Sequence, residues 1–204
     1  KSTVAALIVH FHDIESGVIL LDGKDTTYIP EDRLRDHIGF VPQQAFLFSG
    51  TIMDNIRHGN QDATPEDVRH AARVAQIADY IDGLEKGYET PVAQGGDNLS
   101  GGQRQRISIA RALVRKPDIY VFDDSFSALD FKTDAKLRAA LKQETKNAAV
   151  VLIAQRISTI MDAEQIIVLD EGRVAGIGTH EQLMANCETY RQIAESQLNE
   201  KELA

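Results

Sequence analysis

The residues that could handle a charged oxygen ligand sit in three short runs, and each run also has an ordinary explanation. Lys1-Ser2-Thr3 stands ahead of a nearly unbroken apolar run to Phe11. A lysine and a hydroxyl entering a helix match the end of a phosphate-binding loop, where Lys1 would reach β and γ phosphates and Ser2 a magnesium ion. Many unrelated helices begin the same way. Ile119-Tyr120-Val121-Phe122-Asp123-Asp124 is an apolar strand that ends in acids. The C-terminal edge of an α/β sheet is where ligands bind, so Asp123 would hold a magnesium-bound water and Asp124 would face an attacking water. The alternative is a strand running into a helix-capping acid. Leu99-Ser100-Gly101-Gly102-Gln103 precedes a helix with Ile107, Ala110 and Leu113 inward. Two glycines at a helix N-terminus leave backbone N–H groups open to an anion that the helix dipole favours; a flexible capping turn is the alternative.

These runs need elements to hold them. The apolar residues to Phe11 predict a buried helix, and Gly17 to Gly23 a strand closed by the hairpin signal Asp22-Gly23. Ile38 to Val41 is a short strand stopped by Pro42, which delivers Gln43 and Gln44 to a loop. Thr64 caps a helix with Pro65 first and acids in its first turn, and Val68, Ala71, Ala72 and Ala75 form its apolar side. The stretch to about Leu113 is mostly helical. Beyond Pro117, the runs 119–122, 148–153 and 166–169 read as strands of parallel crossover units. Thr179 and Gln182 form another cap, and Tyr190, Ile193, Ala194 and Leu198 line a final amphipathic helix. The fold class is α/β with a helical insertion.

In order along the chain, Lys1-Ser2-Thr3, Gln43, Leu99 to Gln103, Asp123 and Ser127-Ala128-Leu129-Asp130 resemble the motif series of ABC transporter nucleotide-binding domains. The resemblance implies a P-loop NTPase (RecA-like) core, ATP and Mg2+ as ligands, and a helical signature subdomain over about 44–115. Residues 116–204 would then carry the Walker B strand, the D-loop, the switch and the rest of the core. It places Lys1, Ser2, Thr3, Gln43, Ser100, Gly101, Gly102, Gln103 and Asp130 at nucleotide, and Ser2, Gln43 and Asp123 at magnesium. It also implies a second nucleotide-binding domain whose bound ATP the signature closes over. Phe46 to Ile52 resembles the exporter form of the segment where a coupling helix docks, so a transmembrane domain would meet the chain near Gln43 to Ile52. Thr90 to Gly96 lies where exporters carry a cross-domain loop, with Ala93 and Gln94 in place of the usual Gly-Glu.

Two departures fall in one site. The residue after the Walker B aspartate is usually glutamate and here is Asp124, one methylene shorter; the switch residue is usually histidine and here is Gln155. A displacement of about 1 Å at a reacting centre can cost roughly 10²-fold in rate, and a glutamine amide cannot relay a proton near neutral pH. The pairing resembles the degenerate-site chain of heterodimeric bacterial multidrug-type exporters. Asp124 and Gln155 would then be impaired catalytic groups, while the intact signature serves a non-identical partner. A slow homodimer, a soluble ABC ATPase of DNA or ribosomes, and a regulatory module that binds ATP without turnover are the competing readings.

Composition bounds the rest. With 204 residues, 43% hydrophobic and 26% charged, the chain suits one globular domain, and its formal charge of −9 gives no overall footprint for nucleic acid. Arg104, Arg106 and Arg111 are the local basic candidates. Cys187 is the single cysteine, which fits a reducing compartment, and the six histidines show no metal-binding spacing. No apolar run reaches the roughly 18 residues of a membrane span; the resemblance implies a location at the cytoplasmic face of the cell membrane, reached through a transmembrane partner. Because Lys1 falls inside the Walker A motif, the chain is expected to be N-terminally truncated, and the isolated piece to bind ATP weakly or not at all.

Overall fold

The computed structural model describes the backbone of residues 1–202 and the side chains of residues 1–197; Leu198, expected on the apolar side of the last helix, lies outside the described side chains. The chain divides into two compact units, Ser2–Ile153 and a second beginning at Ala154.

In the first unit, α1 (Ser2–Ile8) buries one side only. Ala5 and the following Val9 are covered, but Val4 and Phe11 remain 42% and 54% exposed, which corrects the expectation of a buried helix. Strands β1 (Leu20–Leu21) and β2 (Lys24–Asp25) pair antiparallel about Asp22-Gly23. Both turn residues have positive φ, 49° and 76°, as a type I′ hairpin requires. Helix α2 (Glu31–His37) leads directly into β3 (Ile38–Val41), which ends at Pro42 as expected.

The helical stretch follows, with β4 (Gly50–Thr51), α3 (Ile52–Arg57), α4 (Pro65–Val74), α5 (Ala78–Asp82), β5 (Pro91–Val92) and α6 (Gly101–Val114). Capping fixes where these helices start: Thr51 with Asp54, Thr64 with Asp67, and Ser100 with Gln103 each form a reciprocal box in which two otherwise orphaned N–H groups find acceptors. Their apolar faces share one core with β6 (Ile119–Asp123) and α7 (Phe131–Glu144).

Strand β6 is central in a parallel sheet of order β3-β6-β7, with β7 (Ala149–Ile153) on its other side. Its side chains alternate: Tyr120 and Phe122 enter the helical core, while Val121 joins Ala5, Val9, Leu34 and Ile38 on the opposite face. A strand buried on both faces accounts for the unbroken apolar run before Asp123.

The second unit contains α8 (Ile157–Ile160), β8 (Ile166–Asp170), β9 (Arg173–Gly178), α9 (His180–Asn186) and α10 (Glu188–Glu202). Strand β8 is not part of a parallel crossover, as its apolar run had suggested. It pairs antiparallel with β9, because Glu171-Gly172, at φ 45° and 78°, closes a tight hairpin. Ile166 and Val168 of β8 pack with Leu183, Cys187 and Tyr190. Among the described residues no helix is long and apolar enough to cross a membrane.

Gly59 packs so closely on α6 that a Cβ there would overlap the Arg111 carbonyl and approach Val114 Cγ1 to 2.9 Å. Gly59→Ala is therefore expected to destabilise the protein by about 1–3 kcal/mol, read as a lower urea midpoint. A wild-type midpoint would mean that the turn before α4 yields without cost.

Candidate nucleotide site

The end of β6 gathers the first group of candidate residues. Asp123 is only 6% exposed, and its Oδ1 accepts a hydrogen bond from Ser2 Oγ at 3.1 Å, across 121 residues of sequence. The chain then turns through Asp124, whose φ of 46° is left-handed and whose N–H donates to the Ile153 carbonyl at 2.8 Å. Aspartate enters that region more readily than most non-glycine residues, so the backbone itself suits a short acid here. Gln43, on the loop after β3, donates from Nε2 to Asp124 Oδ2 at 3.3 Å. Ser125, buried, donates to the Val41 carbonyl at 2.9 Å and so ties the ends of β3 and β6 together.

The structure thus brings Ser2, Gln43, Asp123 and Asp124 to one sheet edge. Lys1 is exposed immediately before α1, and Thr3 is exposed on its first turn. The donors offered by Ser2, Asp123 and Gln43 include a hydroxyl, a carboxylate and an amide oxygen, the hard oxygen ligands that suit Mg2+ with waters and phosphate oxygens filling the shell. Among the described residues no group of three or more His, Cys, Asp or Glu is placed to hold a metal ion. His10, His37, His70 and His180 contact Thr26, Asp118, Glu144 and Tyr190 respectively, in line with packing or surface roles.

The second group lies at the N-terminus of α6. Ser100 Oγ accepts from the Gln103 N–H at 3.2 Å, and Gln103 Oε1 accepts from the Ser100 N–H at 2.8 Å. The Gln103 side chain therefore holds the cap. The N–H groups of Gly101 and Gly102, first in the helix, have no intrahelical acceptor by construction. A Cβ on Gly102 would stand 3.3 Å from the Ala128 carbonyl, so the absence of a side chain there lets the loop 127–130 approach the Ser100–Gln103 turn. Asp130 at the end of that loop caps α7 through Thr133, whose hydroxyl and amide hold its carboxyl below the usual range.

The three local basic candidates are turned into the structure rather than outward. Arg104 donates to the carbonyls of Gly96 and Leu99, and Arg106 to those of Gly102 and Gln76. Arg111 donates to the Asn55 and Phe46 carbonyls and to Asn55 Oδ1, and burial lowers its pKa to about 10. An exposed basic patch is thereby corrected to a set of loop clamps; a guanidinium with five donors in one plane is suited to that use.

Gln155 belongs to the second unit, where it is exposed and its carbonyl accepts from Gln197 Nε2 at 2.7 Å. Gln197 Oε1 also accepts from the Ile157 N–H at 2.8 Å, so one side chain fixes both ends of this turn. Neither Gln197 nor Gln105 of α6 is among the residues singled out from the sequence. Gln105, however, is four residues before Ile109 and seven before Ala112, a polar residue on a buried stripe, and that mismatch is a signal the sequence does contain.

The fold and the residues gathered at the end of β6 define a nucleotide-binding α/β protein, and comparison with known families gives its class: residues 1–127 match the ABC transporter family, to which the chain belongs. An ABC transporter ATP-binding protein of Mycobacterium tuberculosis is 48% identical over 200 residues, covering 97% of this chain and 34% of that protein. The β-(1→2)glucan export ATP-binding/permease protein of Rhodopseudomonas palustris is 44% identical over 204 residues, 100% of this chain and 34% of the relative. The structure of a bacterial Atm1-family ABC exporter with ATP bound superposes with a TM-score of 0.95 at 40% identity, over 97% of this chain and 35% of that one. The chain thus spans about a third of the length of the relatives it matches.

Ser125→Ala removes the buried link between the ends of β3 and β6. It is expected to cost about 1 kcal/mol of stability, measured by urea unfolding, and an unchanged midpoint would contradict a structural role for that hydroxyl.

Proposed function

We propose that this chain is the nucleotide-binding part of an ABC exporter that holds ATP in a weakened site of its own and lends its Ser100–Gln103 turn to the working site of a second, non-identical nucleotide-binding domain. The observation that carries this reading is that Asp124 and Gln155 stand where the family resemblance puts the usual glutamate and histidine, while Leu99 to Gln103 keeps the signature pattern. The export assignment draws on two similar proteins whose names describe export, one of them a bacterial Atm1-family exporter with ATP bound.

In the own site, Lys1 would neutralise phosphate charge, and Thr3 would add a hydroxyl to the phosphate-facing turn. Ser2, Gln43 and Asp123 would hold Mg2+, which when bound neutralises charge building on the phosphate oxygens. The short carboxylate of Asp124, already bonded to Gln43, is poorly placed to orient water, and Gln155 offers a neutral donor to phosphate but no titrating proton. Binding is thereby separated from hydrolysis. In trans, the N–H groups of Gly101 and Gly102, with the Ser100 hydroxyl, would meet the phosphate bound by the partner, while Gln103 keeps the turn folded and Asp130 fixes the loop beside it. Closure of the two domains around ATP would move a transmembrane domain docked near Gln43 to Ile52, at the cytoplasmic face of the cell membrane. Phe46 and Phe48, 51% and 46% exposed and packed edge to face, support an apolar partner there.

The test is steady-state ATPase of the full-length protein with its partner. Ser100→Arg, which places a bulky cation in the turn, is expected to lower turnover at least 100-fold, whereas Asp124→Ala leaves most of it. Loss of turnover in Asp124→Ala instead would make Asp124 a functional base and favour the slow homodimer, which the retained Ser2, Gln43 and Asp123 set would also serve.

A further inference from the structure

Helix α6 carries a buried amide side chain beyond its Ser100–Gln103 turn. Gln105 is 2% exposed among apolar neighbours, and its Nε2 donates to the Pro42 carbonyl at 3.0 Å, across 63 residues of sequence. That carbonyl belongs to the peptide whose nitrogen is the amide of Gln43. The same helix holds the loop further along, where Arg111 donates to the Phe46 carbonyl and lies 5.3 Å over the Phe48 ring. At its start, α6 carries Ser100 to Gln103. One 14-residue helix packed along its length thus joins the signature turn to the loop that aims Gln43.

We infer that Gln105 is a positioning residue that sets where Gln43 stands at the Mg2+ and phosphate edge according to the placement of the signature helix, and so couples the site this chain completes in trans to the site it holds itself. The physical argument is rigidity at one point. Pro42 has a fixed φ, and its carbonyl is the acceptor by which α6 holds the peptide before Gln43. A buried amide has few other partners, and leaving it unbonded is costly. A shift of α6 when its N-terminus meets the partner's nucleotide would therefore carry Pro42 with it and move Gln43 relative to Asp124. A shape-filling role alone would be met by a methionine or leucine on the stripe.

This inference rests on the assignment of Gln43 to Mg2+ in this chain's own site. Its test is a double-mutant cycle in the full-length transporter with its partner, using Gln105→Met, Gln43→Ala and the pair. The readouts are the Mg2+ concentration for half-maximal retention of ATP on this chain and the thermal midpoint. Gln105→Met is expected to raise the Mg2+ requirement about fivefold, the factor that goes with one neutral hydrogen bond, and to lower the midpoint by no more than Ser125→Ala does, a variant that should leave the Mg2+ requirement unchanged. The pair should be no worse than Gln43→Ala alone, since both act through one group. If Gln105→Met does not fold, Gln105→Leu takes its place in the cycle. Factors that multiply in the pair, or a wild-type requirement in Gln105→Met beside an altered one in Gln43→Ala, would overturn the coupling and leave the site assignment standing. An unaltered requirement in Gln43→Ala would overturn the assignment of Gln43 and the coupling with it.

Discussion

The arrangement depends on one strand end. Strand β6 is paired on both edges and buried on both faces, so Asp123 is held where backbone and packing leave it no freedom. Its carboxylate meets Ser2 from α1 on one side, and the chain leaves through a left-handed Asp124 anchored to Ile153 of β7 on the other. Three elements distant in sequence are thus made to converge within hydrogen-bonding reach. Groups already in place before a charged ligand arrives interact with it at no cost of reorganisation, and the rigid sheet would give the proposed Ser2–Asp123 edge that advantage.

The second constraint is how α6 uses its polar side chains. A helix that is buried along one side has to satisfy backbone carbonyls of the loops that cross it. Arg104, Arg106, Arg111 and Gln105 all do this, and between them they clamp loops that carry Gly96, Gln76, Phe46 and Pro42. The helix that carries the signature is therefore also the internal scaffold for the loops around it.

Much of this was legible in the sequence because it is encoded locally. The caps at Thr64 and Thr179, the Asp22-Gly23 turn, and the apolar run into Asp123 depend on neighbours within a few residues, and the structure has them as expected. What was not legible depends on distant partners. The apolar pattern of β8 cannot state whether its neighbour is parallel or antiparallel, and the hairpin with β9 decides it. An arginine on a helix reads as surface charge until the carbonyl it meets is known; Arg106 and Gln76 are 30 residues apart, and Arg111 and Asn55 are 56 apart. The exposure of α1 follows likewise from packing on only one of its sides, which no period in its own residues records.

The most direct measurement of the account is to identify the nucleotide that this chain retains during turnover. The full-length transporter and its partner would be cycled with radiolabelled ATP, quenched, and the nucleotide crosslinked to each chain analysed separately. The account predicts intact ATP held on this chain through many cycles, with ADP forming at the partner's site. ADP appearing on this chain at the steady-state rate would contradict it, and would make the Asp124 site a working one.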